Sequence, residues 1–198
     1  MKEFNKVHNV NVWGIHESII ASGYPMRTGE TSNHDDVIKS EGDMKRAITL
    51  GNAKASSGHD SFLKGIIVQF DWTISQTIYP QVERYHFIDI VSSQSKMHRI
   101  QKAKRESFNQ YVDEVILNRF MEMIDQYNQA DKEHKKELFY PLVYSLPMGF
   151  EMTARFTTNY LQLKTIYHQR KNHKLDEWKD FCEWAESLPQ FKQLVLKN

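Results

Sequence analysis

The sequence predicts an α+β fold, with a small sheet early in the chain and helices gathered late. Three observations carry that reading. In "GHDSFLKGIIVQFDWTIS", Ile66, Val68, Phe70 and Trp72 are separated by Gln69 and Asp71 in the two-residue period of a strand. Between about Gln101 and Tyr127, the residues Phe108, Val112, Val115, Ile116, Arg119, Phe120, Met123 and Ile124 keep the three-and-four spacing of one buried helical face. Arg119 is the only polar member of that face. Two further amphipathic helices are predicted over 150–170 and 174–187.

The remaining elements follow in chain order. "VNVWG", Val10 to Gly14, alternates and reads as a short strand. "SGYPMR" has turn chemistry, and "TGETSNHDD" reads as a polar loop. Residues 40–51 predict a helix, because Met44, Ala47 and Ile48 share a face and Gly51 can terminate it. Pro80 suits a first helical turn, so a short helix is expected from Pro80 to Phe87. "QADKEHKKE" reads as a solvated connection or helix end, and Pro141 and "SLPMG" break the chain again. Nothing marks a repeat or a domain boundary, so one domain over 1–198 is expected.

Bulk composition narrows the function classes. A chain of 198 residues with 40% hydrophobic residues can bury a real core. Its 26 basic and 25 acidic residues leave a formal charge of +1, which gives no bulk attraction to nucleic acid polymers or membranes. No apolar run has the length of a membrane span, and "MKEFNKVHNVNVWG" lacks the apolar core of a signal peptide, so a cytoplasmic location is expected. The single cysteine, Cys182, excludes an internal disulfide. It lies on the apolar face formed by Trp178, Phe181, Cys182 and Ala185, which favours packing over nucleophilic work.

Nine histidines invite a metal, but none forms a His-Glu-x-x-His pair or a comparable ligand spacing. Gly14, Gly23 and Gly29 do not make a dinucleotide loop, so any nucleotide must be held by side chains and helix ends. Three segments could do so. "GHDS", Gly58 to Ser61, precedes the alternating strand and reads alone as a cap. Gln81 and Arg84, three apart, would share a helical face and could grip one anionic or amide group. Asn159 and Arg170, eleven apart, would emerge on one helical face about 16 Å apart, a span suited to a long ligand. For each segment alone a structural role remains open. Together they point to an anion-binding cleft.

The order of these segments resembles that of the flavin-dependent thymidylate synthases, also called thymidylate synthase complementing proteins. That family carries a Gly-His-acid-Ser/Thr element, a Gln-x-x-Arg-His-Arg signature with trailing serines, a Leu-Pro, a Thr-x-Asn and a Leu-x-x-Arg helix. Here stand "GHDS" at 58–61, "QVERYHF" at 81–87, "SSQSKMH" at 92–98, "LP" at 146–147, "TTN" at 157–159 and "HQR" at 168–170. The resemblance spans about residues 20–185. It implies a small, mostly antiparallel sheet with a bundle of long helices. It also implies methylation of dUMP at C5 with methylenetetrahydrofolate, FAD and NADPH, in a homotetramer whose sites draw on several subunits. By resemblance, Ser61, His86, Ser92 and Asn159 contact FAD, while Gln81, Arg84, Ser93, Ser95, Lys96 and Arg170 hold the nucleotide. No catalytic side chain and no metal are implied. The sequence departs from the family at Tyr85, Met97, Val143 and Leu161, where histidine or arginine is usual, and at Lys64, where glutamate is usual. A divergent relative with another substrate, or an interaction protein on the same frame, remain as alternatives.

Overall fold

A computed structural model describes residues 6–26, 41–54 and 57–196. Four strands, β1 (Val7–Trp13), β2 (Ile67–Ser75), β3 (Asp89–Ser93) and β4 (Glu151–Asn159), form an antiparallel sheet in the order β1-β2-β4-β3. The helices are α1 (Ile15–Ala21), α2 (Glu41–Gly51), α3 (Tyr79–Val82), α4 (Lys96–Arg99), α5 (Glu114–Gln129), α6 (Lys132–Tyr144), α7 (Tyr160–Arg170), α8 (Asp176–Ser187) and α9 (Phe191–Val195). Among the described residues, no helix is long and apolar enough to cross a membrane. The chain divides into two compact units. The first comprises the described parts of 1–71, 85–89 and 156–198, and the second comprises 72–84 and 90–155.

The first unit is built on aromatic packing. In β2 the alternation predicted from sequence is realised: Val68 and Phe70 are buried, and Ile66 just before the strand is buried too. Phe70 stacks on Phe156 at 5.6 Å and meets Trp184 at 4.5 Å between ring centroids. The α8 face of Trp178, Phe181, Cys182 and Ala185 is buried as its spacing predicts. Acidic Asp176 and Glu177 occupy the first turn of α8, where the helix dipole favours them. β1 begins three residues earlier than the strand read at Val10. In α2, Ala47 is buried with Met44 and Ile48 half-buried beside it, and Gly51 is the last helical residue. The reason for that glycine is close approach: a Cβ there would collide with the Leu194 carbonyl of α9. The polar loop read at 28–36 lies outside the described residues.

One segment is corrected outright. Residues 150–170 are not one helix but β4 followed by α7. Glu151, Met152, Ala154, Phe156 and Thr158 are buried while Thr153, Arg155 and Thr157 are only half so, a two-residue period with β-branched threonines suited to a pleated surface. Asn159 ends the strand and caps the helix.

The second unit holds a core of Ile100, Ala103, Phe108, Leu117, Phe120, Ile124, Leu142, Phe150 and Met152. Phe108 meets Phe120 edge-on at 5.6 Å and Phe150 at 5.4 Å. Here too the helical reading shifts. α5 starts only at Glu114, because the Asp113 carboxylate accepts from the Val115 and Ile116 amides and fixes the helix start. Its buried face is Leu117, Phe120 and Ile124, whereas Val115 (76% exposed) and Ile116 (55% exposed) face outward. Arg119 is exposed as well and pairs with Glu122 at 3.1 Å. Of the solvated connection or helix end expected at 129–137, the helix end is what stands there: α5 stops at Gln129 and α6 starts at Lys132, capped by Asp131, which accepts from the Glu133 and His134 amides. The His134 backbone bond, then its side chain, holds the Asp131 carboxyl below its usual pKa. Pro141 lies inside α6 rather than ending it. α3 is a single turn with Pro80 in it and stops at Val82, well before Phe87.

Candidate functional site

In the first unit the "GHDS" turn is tied down by its acid. Gly58 takes a left-handed φ of 79°, and the Ser61 amide bonds back to the Gly58 carbonyl at 3.2 Å. Asp60 is buried and pairs with Lys164 of α7 at 2.7 Å. The same ammonium donates to the Gly51 carbonyl at 2.7 Å and the Ala53 carbonyl at 3.2 Å. All three hydrogens of Lys164 thus have acceptors, which is what makes a buried ammonium tolerable. The pair anchors the turn, and Ser61 emerges exposed at the start of a 3-10 segment, Ser61–Gly65, that leads to β2. His59 and Lys64 are exposed beside it.

Asn159 and Arg170 sit at the two ends of α7. Asn159 is its N-cap: Oδ1 accepts from the Gln162 amide at 2.9 Å, while its amide NH2 has no partner among the described residues. Asn159 stands outside the helix, extended at the end of β4, so the shared helical face expected for it and Arg170 does not apply; the two residues mark opposite ends of α7. Arg170 is half-buried. Its Nε donates to the Tyr85 hydroxyl at 2.7 Å, and its guanidinium lies 4.7 Å from the Trp178 ring centre and 5.6 Å from that of Tyr85. The Tyr85 hydroxyl in turn lies 3.0 Å from Gln169 Oε1, to which it donates. His173 packs edge-on to Trp178 at 6.4 Å, and burial followed by neighbouring Arg170 keeps its pKa below the ordinary histidine value. His86 is exposed, and its neighbour Phe87 accepts from the Thr158 hydroxyl at 2.7 Å. Cys182 is buried, and burial pushes its thiol up to about 12, so no nucleophilic thiolate forms near neutrality.

In the second unit Gln81 and Arg84 do not share a helical face. Gln81 belongs to α3 and donates to the Thr77 carbonyl at 3.1 Å, while Arg84 lies exposed beyond the helix end. Ser92 and Ser93 end β3, exposed. Gln94 then fixes the chain. Its amide donates to the Thr153 carbonyl at 3.0 Å, and its Oε1 accepts from the Thr153 amide at 3.0 Å and from Arg99 Nη1 at 2.6 Å. Arg99 also donates to the Glu151 carbonyl at 2.8 Å and lies 5.4 Å over the Phe150 ring. Arg99 is therefore a structural cation. Ser95, the N-cap of α4, makes no side-chain cap bond, and Ser95, Lys96, Met97 and His98 are exposed. The second unit thus brings Ser92, Ser93, Ser95 and Lys96 into one exposed polar run.

Tyr85 as the partner of Arg170, Trp178 as the ring beneath it, and the Asp60–Lys164 pair are not foreseeable from the spacing alone. No sequence spacing links Asp60 to a lysine 104 residues away. Among the described residues no group of three or more His, Cys, Asp and Glu side chains could hold a metal ion.

No protein-family model matches the sequence, and no curated protein matches it. Solved structures do. A flavin-dependent thymidylate synthase ThyX from Helicobacter pylori, in complex with FAD and dUMP, superposes with a TM-score of 0.72 at 15% identity, over 97% of this chain and 98% of that one. Another structure of ThyX from Helicobacter pylori with FAD and dUMP gives a TM-score of 0.71 at 16% identity, over 98% and 99% of the two chains. The α+β architecture predicted from the sequence is borne out: from end to end, the chain has the fold of these flavin-dependent thymidylate synthases.

Proposed function

We propose that the chain is a flavin-dependent enzyme that methylates a pyrimidine nucleotide at C5, converting dUMP to dTMP, with methylenetetrahydrofolate as carbon donor and NADPH as reductant. The observation that carries this reading is the end-to-end fold likeness to proteins solved with FAD and dUMP. The motif order in the sequence supports it independently. The side chains present suit such ligands. Ser61 and His86 are exposed donors, and the free NH2 of Asn159 stands at the N-terminus of an eleven-residue helix, where backbone amides favour negative charge. These three, with Ser92, would hold FAD, which supplies the relay of reducing equivalents when bound. Gln81, Arg84, Ser93, Ser95, Lys96 and Arg170 would bind the nucleotide.

On this reading the protein's own share of the chemistry is positioning and charge complementarity rather than covalent catalysis. Arg84, Lys96 and Arg170 offset the nucleotide's phosphate charge, while the serines and Gln81 offer hydrogen bonds that orient it. The buried, protonated Cys182 takes no part. One functional domain acting as a homotetramer in the cytoplasm completes the proposal.

A second reading is a relative of the same fold that binds a flavin or nucleotide but turns over another substrate. The state of Arg99 favours it. With Met97 where arginine is usual, Arg99 is a nearby cation that could compensate, yet it is committed to Gln94, Glu151 and Phe150. Val143 in α6 and Leu161 in α7 leave two further positions without a cation. Release of tritium from C5-labelled dUMP, with FAD, NADPH and methylenetetrahydrofolate present, tests the first reading. Turnover establishes it. Flavin and dUMP binding without tritium release selects the second.

A further inference from the structure

We infer that Tyr85 is the positioning residue of the nucleotide site, acting through Arg170; the ligand's identity rests on the function proposed above. Arg170 closes α7, where the helix dipole stabilises a cation. An arginine at a helix end ordinarily samples many rotamers, and fixing it costs side-chain entropy on binding. Here much of that ordering is done in advance. One face of the guanidinium is set by Trp178 at 4.7 Å, and its Nε–H is held by the Tyr85 hydroxyl at 2.7 Å.

The hydroxyl is itself oriented. Tyr85 donates to Gln169 at 3.0 Å, so its lone pair is directed at Arg170, giving a chain of bonds from Arg170 through Tyr85 to Gln169. Tyr85 also packs edge-on to Trp178 at 6.0 Å, which makes one frame of the two rings that flank the arginine. Holding Nε while the guanidinium lies over the Trp178 ring narrows the orientations of the terminal nitrogens, which favours two-pronged recognition of a phosphate or a pyrimidine edge. The restraint is also of the right kind. A phenol is neutral, so this contact orients the guanidinium without cancelling its charge, as a carboxylate in the same place would.

Tyr85→Phe removes the hydroxyl and keeps the ring. Calorimetric titration of wild type, Y85F, R170A and Y85F/R170A with dUMP in the presence of FAD, and with FAD alone, separates the roles. Y85F is expected to weaken dUMP binding about five- to tenfold, with FAD affinity and melting temperature unchanged. In the R170A background the same substitution is expected to have no further effect. Equal dUMP affinity in Y85F and wild type, a parallel loss of FAD binding, or a full additional loss in the R170A background overturns the assignment. The Arg170 Nε–H resonance supplies a ligand-free readout: slow solvent exchange in wild type and fast exchange in Y85F are expected, and an unchanged rate overturns the positioning role. Wild type that shows the protected resonance but binds no dUMP refutes the proposed nucleotide while leaving the Tyr85–Arg170 coupling intact.

Discussion

The two compact units use their polar side chains in opposite ways. In the first, three motif residues are locked into the frame, Asp60 in a buried ion pair, Asn159 in a helix cap, and Arg170 between Tyr85 and Trp178, while Ser61 and His86 stay exposed. In the second, Arg84, Ser92, Ser93, Ser95 and Lys96 stand exposed, and their side chains make no hydrogen bond or ion pair with any described residue. The backbone that carries the serines is nonetheless fixed, because Gln94 and Arg99 tie it to Glu151 and Thr153. Pre-paired side chains give a rigid ligand wall at the cost of coupling function to stability. Unpaired ones on a fixed backbone leave stability untouched and let the ligand order them.

That contrast can be broken most sharply at Lys164. Lys164→Met leaves Asp60 buried without its counter-charge and strips two carbonyls of their donor, so a loss of about 3–5 kcal/mol in denaturant unfolding is expected. A loss below about 1 kcal/mol would mean that the first unit is not held by this pair. Next in size are the two caps. Asn159→Ala and Asp113→Ala should each cost about 1 kcal/mol, but only Asn159→Ala, in the first unit, should also weaken FAD binding. If both or neither affect FAD, the cap at α7 has no ligand role.

Smaller still are Ser95→Ala and Lys96→Ala in the second unit. Each should leave stability within about 0.5 kcal/mol of wild type while raising the dUMP dissociation constant, Lys96 the more strongly and in a salt-dependent way. Destabilisation by either would place these residues with the frame. The smallest expected effect is at Cys182. With its thiol pushed up to about 12 by burial, it should resist alkylation in the native protein at mildly alkaline pH and react only on unfolding. Rapid native labelling would show that the α8 face opens.

What the sequence made legible follows the same division. β2 and α8 were readable because one strong period governed each: two for Val68 and Phe70, three-and-four for Trp178, Phe181, Cys182 and Ala185. β4 reads as helix in the sequence because "MTARFTTNYLQLKTIY" joins a strand to a helix with no glycine or proline between them. Only Asn159, strand end and helix cap at once, marks the junction. In α5 the predicted face counted Val115 and Ile116, yet the Asp113 cap fixes a register in which Leu117, Phe120 and Ile124 turn inward. Motif order located the candidate residues along the chain. It could not foresee how Arg170 is held, since Tyr85 reaches it across 85 residues and that coupling exists only in three dimensions.

The proposed function requires this chain to bind a flavin and a pyrimidine nucleotide with Met97, Val143 and Leu161 in place of cations. Equilibrium titration of the wild-type protein with FAD, read by the visible flavin absorption, followed by dUMP, read by the further spectral change and the rise in melting temperature, tests it most directly. Saturable FAD binding and added stabilisation by dUMP are predicted, since a ligand that binds the native state must raise its apparent stability. A protein that takes up no FAD and is not stabilised by dUMP would rule out the proposed function.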